Sequence, residues 1–143
     1  MSTKHARIPL LILAALLIIL AGCSSPYRGR YTYDVSLISE VSFVSVDSDG
    51  TIVTVESLES DQYASFFLSL SQLQRHEYWN DPIDIVEGSA ILITFRDGNY
   101  HLINHHCTIR AIDGKAEDTL EFYGYEDFIE LWEQYCSHDY ILP

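Results

Sequence analysis

Positive charge is scarce in this 143-residue chain: eight Lys and Arg stand against 21 Asp and Glu, a formal net charge of −13. A surface that acidic argues against nucleic-acid binding, which needs clustered Lys and Arg to displace counterions from phosphates. Cysteine is sparse too, with three residues, and the seven glycines follow no period. These counts exclude a disulfide-dense miniprotein and a collagen-like repeat, and a 48% hydrophobic content excludes a disordered tail. No GxSxG elbow, phosphate-binding loop or dinucleotide fingerprint occurs, nor any HExxH or paired CxxC. A hydrophobic run long enough to span a bilayer is absent as well. The longest, Ile8 to Leu20, has thirteen residues; as a helix it reaches roughly 20 Å, against about 30 Å for a bilayer core.

What is present is unevenly spread. Fifteen of the first 22 residues are Ala, Ile, Leu or Met, behind a positive start at Lys4, His5 and Arg7. That is the layout of an export signal core. The next residues, Leu20, Ala21, Gly22 and Cys23, have the order aliphatic, small, small, cysteine. This segment resembles the lipobox of bacterial lipoproteins. The resemblance covers the first 23 residues and implies cleavage before Cys23, a diacylglyceryl group on its thiol, and acyl chains such as palmitate holding the mature protein on the extracytoplasmic face of a bacterial membrane. Two or three chains, each stabilised by about 0.8 kcal/mol per buried methylene, anchor a protein without a transmembrane helix. Ser24 follows the cysteine, so the aspartate retention signal of some Gram-negative bacteria is missing at that position. Removing Lys4 and Arg7 leaves six basic and 21 acidic residues, a mature charge of −15.

The expected organisation is therefore a signal peptide over 1–22, a lipidated cysteine and short tether over 23–36, and one α+β domain over 37–143. The tether carries Arg28 and Arg30 beside Tyr27, Tyr31 and Tyr33, residue types that suit an anionic lipid interface or pack back on the domain. Alternating β-branched runs flank Asp49-Gly50, the signature of a hairpin. Ser60 and Asp61 can cap a helix whose stripe is Tyr63, Phe66, Phe67, Leu70 and Leu73, ending near Arg75 and His76. Strands are expected over 90–96, over 99–105, through Cys107, Ile109 and Ala111, and over 119–123, with Asp-Gly turns at 97 and 113. A last helix carries Tyr125, Phe128, Ile129, Trp132 and Tyr135. A hairpin followed by an aromatic-striped helix thus occurs twice, at offsets of 62 and 64 residues. The pattern implies an antiparallel sheet of about six strands, arranged as hairpin, helix, four-strand meander and helix, with both amphipathic helices on one face.

Once the lipobox has taken one cysteine, Cys107 and Cys136 remain. An even remainder outside the cytoplasm predicts a disulfide, closing a 29-residue loop and contributing on the order of 3 kcal/mol. Two buried thiols acting as small apolar residues is the other reading. The same residues admit a metal site built from His105 or His106 with Cys107, Cys136 and His138, given a turn near residues 104–106; His101 is too far along an extended strand to join His105. Cys107 beside His106 does not make a hydrolase, since neighbouring strand residues face opposite ways. Asp47 to Gly50 lacks the twelfth-position glutamate of a calcium loop, where Leu58 stands. Glu126, Asp127, Glu130 and Glu133 read as a solvated helix face. Among the aromatics that the helix stripes leave over, Tyr78, Trp79, Tyr100 and Tyr123 are the candidates for recognition, with Tyr78 and Trp79 opening a loop.

These observations lead to a non-catalytic, lipid-anchored binding or accessory module of the bacterial envelope. It needs no cofactor. Its expected partners are the membrane, through the acyl chains, and an envelope protein or polymer, held on the sheet face or the 78–84 loop. A metal-handling lipoprotein using the His and Cys residues is the alternative.

Overall fold

The computed structural model describes residues 33–77, 87–119 and 121–142. Cys23, the lipobox, Arg28, Arg30, Tyr78 and Trp79 lie outside them. The described chain is α+β: β1 (Ile38–Val46), β2 (Ile52–Ser57), α1 (Tyr63–Gln72), β3 (Arg75–Glu77), β4 (Gly88–Phe95), β5 (Tyr100–Ile103), β6 (Thr108–Ile112), β7 (Lys115–Thr119), β8 (Glu121–Tyr123) and α2 (Tyr125–Tyr135). Six strands form one sheet in the spatial order β2, β1, β4, β5, β6, β7, and β3 pairs with β8 in a separate ribbon. Every pairing is antiparallel.

The three Asp-Gly turns form because glycine accepts the positive φ that tight hairpins require. At the β1–β2 turn, Gly50 (φ 83°) donates its N–H to the Asp47 carbonyl at 2.8 Å. The 95–99 turn has the same bulged form, with the Gly98 N–H on the Phe95 carbonyl at 3.0 Å. The third differs. Asp113 and Gly114 both have positive φ, 50° and 76°, and Ile112 pairs directly with Lys115, which makes a two-residue type I′ turn. The two turns suggesting an internal repeat therefore differ in geometry.

That tight turn also corrects the strand expected over 119–123. Pairing resumes at once at Lys115 and runs out at Thr119, opposite Thr108. The segment Glu121–Tyr123 instead pairs with Arg75–Glu77. Arg75 and His76 are correspondingly not in the last turn of the first helix. That helix stops at Gln72, with Leu73 already extended at ψ 140°. Its N-terminus is also not capped by Ser60 or Asp61, which form a 3-10 turn ahead of it.

Alternation along the strands sets the core. Val41, Phe43, Ile91, Ile93 and Ile103 point to one face, and both helices pack there through Tyr63, Phe66, Phe67, Leu70, Phe128, Leu131 and Trp132. Leu131 takes a core place that the stripe gave to Tyr125, which is exposed. The Trp132 and Phe43 rings meet edge to face at 4.9 Å, a geometry that suits the aromatic quadrupole. A smaller cluster of Val44, Val46, Ala90 and Leu102 lies on the opposite face. Tyr33, expected in the tether, belongs to the fold. Its ring lies 5.0 Å from Phe67, and its hydroxyl meets His101 Nδ1 at 2.9 Å.

Candidate functional site

The helix α2 crosses the sheet. Its first residue, Tyr125, lies against His105 in the β5–β6 turn, with ring centroids 5.0 Å apart. Just past its other end, Cys136 Sγ lies 3.6 Å from Glu56 Oε2 on β2. Eleven helical residues rise roughly 16 Å, about the three inter-strand steps of ~4.8 Å that separate β5 from β2. After Cys136 the tail doubles back along the helix. The Trp132 indole N–H donates to the His138 carbonyl at 2.6 Å, Tyr140 packs on Trp132 and Phe128, and Ile141 exchanges hydrogen bonds with Ser89.

This crossing corrects the expected disulfide: Cys107 and Cys136 are both buried thiols and are not joined. Cys107 sits in the β5–β6 turn at one end of α2 while Cys136 is held beside β2 at the other. A disulfide needs Cα atoms within about 7 Å.

At the β5–β6 turn the buried Asn104 side chain accepts the backbone N–H groups of His106 (2.8 Å) and Cys107 (2.9 Å). The turn folds as anticipated, but it does not gather the five-residue metal site. His105 Nδ1 is occupied by the Tyr140 hydroxyl at 2.8 Å, and its ring lies on His106 with centroids 4.1 Å apart. Burial, then the neighbouring His106, pushes His105 down to about 4. Burial, then the Arg110 charge, does the same to His101. Burial raises Tyr140 to about 12. These are neutral groups in a dry aromatic setting.

At the far end of α2 the chemistry is polar. Glu56 Oε2 receives the Ser137 hydroxyl at 2.7 Å and the Ser137 N–H at 2.9 Å, with His138 Nδ1 at 3.2 Å and Cys136 Sγ at 3.6 Å. The Ser137 donors, hydroxyl first, hold the Glu56 carboxyl down to about 2. Burial pushes the Cys136 thiol up, helped by the adjacent carboxylate. Of the five proposed ligands only Cys136 and His138 meet here, and their companion is Glu56. Among the described residues, the donor atoms of these three lie within 4.8 Å of one another.

No family model, curated protein or solved structure matches this chain. The site is therefore read from its own geometry. Of the recognition aromatics within the described residues, Tyr123 is only 5% exposed and stacks on Phe128, which removes it from any surface role. Tyr100 is half-buried against the opposite-face cluster. Pattern reading missed Glu56 and Tyr140. The available signal for Glu56 was its place as the first charge after the neutral run Thr51–Val55; for Tyr140, an aromatic closely following a helix.

The exposed surface that stands out is β2, an edge strand of the large sheet. Val53 is 49% and Ile52 37% exposed. The Asp47 N–H bonds the Thr51 carbonyl and Ser45 pairs with Val53. By antiparallel alternation, Ile52 and Thr54 then turn their backbone N–H and C=O groups outward. Across β1 from this edge, Asp47, Asp49 and Glu87 rim a groove of about 440 Å³ between the end of β1 and the start of β4 that also touches Ile141 and Leu142.

Proposed function

We propose that this chain is a lipid-anchored extracytoplasmic binding or accessory module of the bacterial envelope, non-catalytic, which takes an extended partner segment on the outer edge of β2. The observation that carries the docking part is the run Ile52 to Val55, exposed over Ile52 to Thr54 and half-buried at Val55. It is β-branched and uncharged, and lacks the Lys or Pro with which natural sheets protect an edge. Strand addition supplies affinity through main-chain hydrogen bonds and specificity through alternate side chains. Acidic residues flank the edge in sequence, Asp47 and Asp49 before it and Glu56 and Glu59 after it. The fitting occupant is a β-prone protein segment bordered by Lys or Arg. Support for the anchor comes from the order Lys4, Arg7, apolar run, then Leu20, Ala21, Gly22 and Cys23.

Three altered chains test this reading in intact membranes. Cys23→Ser should move the protein out of the membrane fraction and abolish incorporation of labelled fatty acid. With a photo-reactive residue at Val53, the full chain should crosslink to one discrete partner. Thr54→Pro, which deletes an outward N–H but no rung to β1, should remove that product and leave the circular dichroism spectrum unchanged. Crosslinking indifferent to Thr54→Pro, or repeated recovery of the protein alone, would overturn the docking edge.

A further inference from the structure

We infer that Glu56, Cys136 and His138 form a three-ligand site for a single zinc-class divalent cation, binding of which clamps the C-terminal tail to β2. The inference rests on the arrangement of donor atoms and is independent of what docks on the strand's outer edge.

The local backbone explains the convergence. Cys136 leaves α2 in an extended conformation, φ −120° and ψ 134°. The chain then bends at Ser137 and His138, which brings the thiol, the Ser137 hydroxyl and the imidazole to the same carboxylate oxygen. Glu56 meets them from β2, fixed by its pairing opposite Phe43. A tetrahedral zinc ion with bonds of about 2.0 to 2.3 Å spaces its ligand atoms roughly 3.3 to 3.8 Å apart. The sulfur-to-oxygen distance here is 3.6 Å and the nitrogen-to-oxygen distance 3.2 Å, with all three atoms inside 4.8 Å. The two spacings to the Glu56 oxygen are close to those of the ion, and sulfur and nitrogen lie within 4.8 Å of each other.

The hydrogen-bonding arrangement leaves room for such an exchange. Four donors or polar hydrogens crowd Oε2: the Ser137 N–H and hydroxyl, Cys136 Sγ and His138 Nδ1. One carboxylate oxygen offers about two lone-pair directions. A cation among Oε2, Sγ and Nδ1 replaces the two longer contacts and takes one of the two lone-pair directions of Oε2, so one of the two Ser137 bonds gives way to it. The thiol proton leaves to solvent as the metal–sulfur bond forms, and the imidazole binds through its unprotonated nitrogen. Sulfur with imidazole favours zinc, cobalt or copper over magnesium or calcium. Entry is open on the His138 side, whose side chain is 56% exposed, while Cys136 is 7% exposed. Three protein ligands leave a fourth position to water.

Full-length protein in detergent, without an affinity tag and reduced, is titrated with Co²⁺ and then with Zn²⁺. The expected result is one saturable equivalent with a thiolate-to-cobalt charge-transfer band that Zn²⁺ abolishes. Cys136→Ser should remove the band, His138→Ala and Glu56→Gln should each weaken binding at least tenfold, and Cys107→Ser should change nothing. Zn²⁺ should also raise the thermal midpoint of the parent but not of Cys136→Ser. His138 lies at the surface, so its variant keeps the test informative if Cys136→Ser folds poorly. The inference is overturned by absence of saturable binding below millimolar Co²⁺, by a band that survives Cys136→Ser, or by affinity unchanged in His138→Ala.

Discussion

The two ends of α2 are organised by the same short tail, yet they treat polar groups in opposite ways. Over the β5–β6 turn, His105 and Tyr140 bond to each other among rings and are held neutral. Beside β2, Glu56 is held ionised by the Ser137 hydroxyl and N–H. Burial decides the first case, because desolvation penalises whichever form is charged. Donor count decides the second, because a carboxylate supplied with several donors prefers to keep its charge. A histidine or a glutamate thus has no fixed role in this fold until its surroundings are known.

Trp132 joins the two ends, through Phe43 below, Tyr140 beside it and the His138 carbonyl at its indole N–H. Trp132→Ala should collapse the contrast and carry the largest effect, a loss of about 3–5 kcal/mol, read as the shift of the urea unfolding midpoint. The buried histidines, His105 at the dry end and His101 beside Tyr33 and Phe95, set a pH limb. Unfolded histidines bind protons below 6.5, whereas His101 and His105 in the fold resist them until about 4. Stability from these two sites is therefore full above pH 6.5 and falls as pH drops toward 4. Urea midpoints across that range should show the decline, and His105→Gln should make the slope roughly half as steep, since two histidines share it. The wet end should respond least. Ser137→Ala removes the first donor on Glu56, so the carboxyl's titration, followed by NMR, should move upward toward 4.5, with a stability loss below about 1 kcal/mol because the bond is exposed.

Much of the framework was legible because its causes are local. Positive φ at Gly50, Gly98 and Gly114 is demanded by the turn itself, and the period of Tyr63, Phe66, Phe67 and Leu70 is carried within ten residues. Those signals placed the hairpins and both helices, and the large sheet has the expected six strands with Lys115–Thr119 as the sixth in place of 119–123. Misreadings arose where a partner lay far away in sequence. Arg75 and His76 look like the basic end of a helix until β8 claims them. Tyr123 looks available until Phe128 covers it. Cys136 and Glu56 are 80 residues apart, and no periodicity links them, so the cysteine pair appeared the simpler answer. The site became visible only once α2 had been laid across the sheet.

The placement of β1 also has a mechanical meaning. Any pull on the chain from the N-terminal side of Tyr33 enters the sheet through β1, which is hydrogen-bonded to β2 on one side and β4 on the other. A central strand drawn along its own axis loads its rungs together, in shear, whereas an edge strand pulled sideways surrenders them one at a time. Tyr33, wedged against Phe67, Phe95 and His101, takes up the first of that load before β1 is reached. A tug along β1 should therefore load its rungs to β2 and β4 together.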